Sequence, residues 1–229
     1  MKLIEFTRTM NTRDLGGYST LDGKMIIDYR FIRSDAVNHL TATEVQFLLD
    51  HGITTSIDLR TPRVATKYRS SLSEDPRFSY HLIPIVEGTD VPLDEAKVPE
   101  LYMSMLAHHD TFLDIFKTIA HAPGGIIYNC SAGKDRTGMV TFLLLDLINV
   151  PREIIASDYA LSSTLIESKI ETIRKFDPNF PTFLGYSKRE YIDSFFVLFD
   201  LTYGATKKYL RTIGLSEAEI NTITSKLLR

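Results

Sequence analysis

One stretch constrains this chain more than any other: Ile126-Ile127-Tyr128-Asn129-Cys130-Ser131-Ala132-Gly133-Lys134-Asp135-Arg136-Thr137-Gly138. Its apolar, β-branched start predicts a strand and its middle a short loop. Residues 139–148 then read as a mostly apolar, buried helix. A strand–loop–helix unit of this kind aims successive backbone N–H groups at one point. That point is also the positive end of the helix dipole, so it favours an anion.

The side chains sharpen this. Cys130 opens the loop and Arg136 closes it, with five residues between them. A loop of that length curls so that the sulfur lies at the bottom of a cradle and the guanidinium closes the rim. The fork of donors on Arg grips two oxygens of a phosphate at once. A helix N-terminus and nearby cations favour a thiolate. The chemistry that follows is attack of the Cys130 thiolate on phosphorus, while the amides of Ser131, Ala132, Gly133, Lys134 and Asp135 and the Arg136 fork hold the equatorial oxygens. Departure of the alcohol and hydrolysis of the phosphocysteine complete the cycle.

The string Cys130-Ser-Ala-Gly-Lys-Asp-Arg-Thr137-Gly138 resembles the loop of the protein tyrosine phosphatase superfamily. Within it, the string is similar to that of the bacterial tyrosine and lipid phosphatases with a Gly-Lys-Asp-Arg-Thr-Gly loop. The resemblance continues in Asn11-Thr12-Arg13-Asp14-Leu15-Gly16-Gly17 and in the C-terminal Tyr203-Gly204, Tyr209-Leu210-Arg211 and Ile213-Gly214-Leu215-Ser216. It implies that Arg13 and Asp14 either brace the loop or stand at the rim, with support the stronger reading. It implies an insertion at about 163–190 that can form a helical lid, with Phe180, Phe183 and Tyr186 lining it. Phe195 and Phe196 fit core packing better. One position departs from the pattern: Asn129 stands where most relatives have His, and Asn donates a hydrogen bond but carries no charge. Thr137 either hydrogen-bonds the Cys130 sulfur or caps the helix.

The bulk properties agree. The 229 residues suit one domain over 1–229, and 44% hydrophobic content supplies a core. A net charge of -3 gives no reason to expect nucleic acid as a partner. Cys130 is the single cysteine, which fits a reducing compartment, taken as the cytoplasm, and leaves the thiol free. No secretory leader and no membrane-spanning run is read. His108-His109-Asp110 does not suit a metal, because neighbouring helical residues point about 100° apart.

Along the chain, Thr41-Ala42-Thr43-Glu44 predicts a capping box and His51-Gly52 a stop. Residues 54–60 predict a strand that ends in Asp58-Leu59-Arg60. Asp58 and Arg60 there are either a structural ion pair or groups near the site. Residues 81–86 predict an edge strand, 101–119 one helix, 163–176 helical continuation, and Ser187-Lys188-Arg189-Glu190 and Ser216-Glu217-Ala218-Glu219 two further capping boxes.

The leaving alcohol needs a proton. Asp135, inside the loop beside a bound dianion, is the favoured general acid. Asp90, on the polar stretch 87–94 with Asp94, is the alternative. The expected fold is α/β, a central, largely parallel sheet flanked by helices, with a helical C-terminal half. The expected function is a cysteine-dependent phosphomonoesterase without metal or organic cofactor. Its substrates are phosphotyrosine proteins; phosphoinositide or dual-specificity action is the alternative, and inorganic phosphate is expected in the loop. A non-catalytic phosphate-binding module and a rhodanese-type sulfurtransferase also place such a loop between strand and helix. Intact Cys130, Asp135 and Arg136 count against the first, and the Gly-Lys-Asp-Arg-Thr-Gly string against the second.

Overall fold

The computed structural model describes residues 1–86 and 94–228. Its centre is a six-stranded sheet of β1 (Lys2–Leu3), β2 (Arg13–Asp14), β3 (Phe31–Ser34), β4 (Ile53–Asp58), β5 (Ser79–Leu82) and β6 (Gly125–Asn129). The strand order is β1-β2-β3-β6-β4-β5. β3, β6, β4 and β5 run parallel, and β1 and β2 add an antiparallel edge. β6 is central and all of its residues are buried, as its unbroken apolar run requires.

Around the sheet lie α1 (Ala42–Asp50), α2 (Pro62–Lys67), α3 (Val98–Leu106), α4 (His109–His121), α5 (Asp135–Leu147), α6 (Arg152–Leu165), α7 (Glu167–Phe176), α8 (Arg189–Tyr203), α9 (Thr206–Thr212) and α10 (Glu217–Leu227). Alternation along β6 sends Ile127 to one face and Ile126, Tyr128 and Cys130 to the other. The first face packs on Val45 and Leu48 of α1. The second packs on the larger helical layer built around α5, whose residues 137–145 are all buried. Phe142 of α5 meets Phe195 and Phe199 of α8 edge-on, with centroids 5.0 and 4.9 Å apart. The sheet is therefore largely parallel with helices on both faces, and the C-terminal half is helical.

Register places the site. Asn129 pairs with Ser34 on one side and with Asp58 on the other, so three parallel strands end level. Their connections leave on the same side, where ligand crevices of such sheets form.

Several element boundaries differ from the sequence reading. Residues 101–119 are two helices, because the Leu106 carbonyl takes the Tyr209 hydroxyl at 2.8 Å instead of a helical N–H. Residues 163–176 divide at Ile166 into α6 and α7. The edge strand is β5 (Ser79–Leu82), earlier than expected. Ser187 is not an N-cap. Its hydroxyl is drawn into α6, accepting from Ser163 N at 2.9 Å and donating to Ala160 O at 3.2 Å, and α8 starts after Lys188 instead. The boxes at Thr41 and Ser216 form as read.

Candidate active site

β6 ends at Asn129, and α5 begins at Asp135, earlier than the apolar run at 139 suggested. Asp135 and Arg136 thus occupy the first helical turn, and 130–134 form the loop proper. Gly133 makes the curl. It has φ +67°, and a Cβ there would lie 2.6 Å from Asp35 N and 2.7 Å from Ser34 C, so the loop rests directly on the end of β3.

What turns the loop is visible in its carbonyls. Asn11 Nδ2 donates to Ala132 O at 2.9 Å and to Gly133 O at 3.0 Å. Arg33 donates to Gly133 O at 2.7 Å, and Lys169 to Ser131 O at 2.7 Å. Three successive carbonyls are thus taken by side chains that do not line the cleft, the arrangement that aims the amides of the loop toward it. Cys130 lies at the floor, 2% exposed, and Arg136 is half-buried beside it.

The donors are themselves fixed. Arg13 donates to Asn11 Oδ1, and through Nε to Asp158 Oδ1 at 2.7 Å. Arg33 reaches Asp158 Oδ2 at 2.5 Å, and Tyr18 OH donates to Asp158 Oδ1 at 3.1 Å. Burial opposes the charged form of Asp158, but Arg13 and Arg33 outweigh burial and hold its carboxyl well below the usual range. Asp35 accepts from Met10 N and Asn11 N, both at 3.1 Å, and so sets the segment that carries Asn11.

Arg13 therefore reaches the loop through Asn11. Asp14 does not: its carboxylate accepts from Tyr29 N at 2.9 Å, and it fixes the turn before β3. Asp58 and Arg60 form a buried pair, Arg60 Nε to Oδ1 at 2.8 Å. Tyr80 OH and Asn38 supply the outer contacts, so the two hold β4 to β5 and to neighbouring loops. Neither lines the cleft over Cys130. Among the described residues, Asn129 Nδ2 makes a 3.4 Å contact with Cys130 O. Thr137 Oγ1 is buried without a hydrogen-bond partner among the described residues, so it neither caps α5 nor meets the sulfur in this structure. Asp90 lies outside the described residues. Asp94 caps a short 3-10 turn through Ala96 N at 3.0 Å, away from the loop.

Above the loop is a cleft of about 330 Å³. Its floor is Cys130, Ser131, Ala132, Lys134, Asp135 and Arg136. Val98 and Leu101 of α3 form one wall, and Ile166, Ile170, Ile173, Phe180, Phe183 and Leu184 the other. Phe195 and Phe196 belong to the core, and Tyr186 contributes its carbonyl, which accepts from Lys134 Nζ at 3.0 Å. Lys134 also meets Asp135 Oδ1 at 2.5 Å. A larger open groove of about 730 Å³ between α3 and α8 is lined by Glu95, Glu100 and Glu190, and its charge repels phosphate.

The sequence reading missed Asn11 as a loop brace and missed Arg33, Asp158, Tyr102 and Lys169 altogether. Arg33 carried a signal, being a charge within a strand that the sheet buries entirely. Asp158 and Tyr102 carried none, since their partners lie far away in sequence.

The sequence profile described as the tyrosine phosphatase family matches residues 4–229. The chain belongs to this family. A tyrosine-protein phosphatase of Nostoc commune is 30% identical over 216 residues, covering 86% of this chain and 74% of that protein. A putative tyrosine-protein phosphatase of Cupriavidus necator is 26% identical over 229 residues, covering 91% and 82%. The triple specificity protein phosphatase PtpB of Mycobacterium tuberculosis is 31% identical over 131 residues, 48% of this phosphatase and 46% of PtpB. Among solved structures, TpbA of P. aeruginosa with phosphotyrosine aligns at 13% identity and a TM-score of 0.33, covering 59% of this chain and 70% of that one. The phosphatase is thus a phosphoric monoester hydrolase of the cysteine-based kind. Among its described residues no helix is long and apolar enough to cross a membrane.

Proposed function

We propose that this phosphatase removes phosphate from tyrosyl residues of proteins, with Cys130 as nucleophile, Arg136 as phosphate clamp and Asp135 as general acid. The observation that carries the reading is the loop itself, with outward carbonyls over a buried cysteine at the start of a helix. The Cys130 thiolate forms a bond to phosphorus as the bond to the tyrosyl oxygen breaks. The loop amides and Arg136 hold the equatorial oxygens, where charge develops. Asp135 gives its proton to the departing oxygen. The same carboxylate then takes a proton from water, the water oxygen attacks the phosphocysteine, and phosphate leaves with the thiolate restored.

Apolar walls on both sides of the loop suit an aromatic ring, since burying one stabilises binding by about 2 kcal/mol. Phosphoinositides are the second reading, favoured by those same walls and by the triple specificity of PtpB. Against it stands Lys134. Its side chain is 5% exposed and engaged by Asp135 and the Tyr186 carbonyl, so its charge is not offered to further phosphates. On this reading the chain is one domain with a lid at about 163–190, takes inorganic phosphate in its loop, and works in a reducing, cytoplasmic setting that suits its single thiol.

Phosphate release from phosphotyrosyl peptides, phosphoseryl peptides and phosphoinositide vesicles, each with wild type and Cys130→Ser, tests the assignment. Fastest release is expected from phosphotyrosyl peptides, with loss by at least about a thousandfold in Cys130→Ser. Release that persists in Cys130→Ser overturns the mechanism. Faster release from vesicles moves the assignment to lipid.

A further inference from the structure

Among the described residues, Asp135 is engaged on one side. Its Oδ1 accepts from Tyr102 OH at 2.6 Å and from Lys134 Nζ at 2.5 Å, whereas Oδ2 has no hydrogen-bond partner among the described residues. Tyr102 comes from α3 and is 0% exposed. Behind it, Tyr159 of α6 places its hydroxyl 2.5 Å from that of Tyr102 and is 2% exposed.

A carboxylate only accepts, so Tyr102 spends its single hydroxyl proton on Asp135. Tyr159 must then donate to Tyr102, and the chain runs in one sense, Tyr159 to Tyr102 to Asp135. Burial, first of all, and the neighbouring charge of Asp135 push both phenols well above their usual range, so both remain neutral donors at working pH. The rings are fixed as well as the hydroxyls. Tyr102 meets Tyr159 and Phe195 edge-on, with centroids 6.0 Å away in each case.

We propose that Tyr102, backed by Tyr159, is a positioning pair for the general acid, holding Asp135 Oδ1 so that the transferable proton resides on Oδ2. The inference rests on the reading of Asp135 as the proton donor. With Oδ1 committed to two donors, protonation falls on Oδ2, the oxygen left for the leaving group. Removing the Tyr102 hydroxyl leaves Lys134 as the one described donor on Oδ1 and lets it draw the carboxylate toward Tyr186, which turns Oδ2 away from the leaving group.

General acid catalysis matters most when the leaving group is poor, so leaving-group dependence reads this role and not fold integrity. The experiment compares kcat/KM for phenyl phosphate and 4-nitrophenyl phosphate in wild type, Tyr102→Phe, Tyr159→Phe, Asp135→Asn and Asp135→Asn/Tyr102→Phe. Tyr102→Phe is expected to lose about tenfold on phenyl phosphate and less than about twofold on 4-nitrophenyl phosphate, with Tyr159→Phe changing in the same sense and less. The double variant is expected to match Asp135→Asn alone. Equal losses on both substrates, or a further loss in the double variant, overturn the positioning role. A flat leaving-group dependence in Asp135→Asn removes the acid assignment and the pair's role with it; a steep one beside a flat Tyr102→Phe removes only the pair. If Tyr102→Phe does not fold, Tyr159→Phe decides by the same criterion, because its change lies one hydroxyl further from the carboxylate.

Discussion

Gly133 is the residue on which the cradle depends most closely. Its φ of +67° disfavours any L side chain by about 1–2 kcal/mol, and the atoms a Cβ would meet are backbone atoms of Ser34 and Asp35, which cannot swing aside. In Gly133→Ala the loop must lift from β3 and give up the contacts that Asn11 and Arg33 make with its carbonyls. The expected result is a fall in kcat/KM of about 100-fold or more with matching loss of vanadate inhibition, since both use the same inward amides. Vanadate inhibition at the wild-type level in this variant would contradict the account of the loop.

At the scale of elements, two lysines tie the cleft wall to the loop in opposite senses. Lys169 reaches down from α7 to Ser131 O, and Lys134 reaches up from the loop to Tyr186 O. Lys169→Met removes one tie and keeps the aliphatic stem. Amide exchange across 167–185 is expected to quicken several-fold while β6 and α5 keep their protection, because only the local opening changes. Unchanged exchange there would show that apolar packing of Ile170 and Phe183 alone holds the wall. The sequence made much of this level legible. The capping boxes at Thr41 and Ser216 and the strand–loop–helix around Cys130 are local patterns and fold as their residues dictate. Ser187 had the same local pattern, yet a buried partner on α6 claimed its hydroxyl. The braces Arg33 and Asp158 and the tyrosine pair were illegible for a related reason. Each acts on a group that only tertiary packing brings near.

For the molecule as a whole, Asp158 joins the antiparallel edge, the central sheet and the helical layer through Arg13 and Arg33. Taking away its charge leaves two buried guanidinium groups facing each other, and Asp158→Asn is expected to cost about 3–5 kcal/mol. Because its carboxyl is held below the ordinary range when folded, its contribution is complete above the unfolded value of about 4 and fades as pH falls through the folded value. Wild type should therefore lose melting temperature steeply below about pH 4, and Asp158→Asn should lack that part of the decline. Parallel curves for the two would contradict the assignment. The chemistry itself is covalent: phosphate passes through Cys130. The direct measurement is acid quench during turnover of a phosphotyrosyl peptide, followed by mapping of the protein's peptides by mass. The account predicts phosphate on the peptide that contains Cys130, absent from Cys130→Ser. Turnover with that peptide unmodified, or with phosphate on another residue, would contradict it.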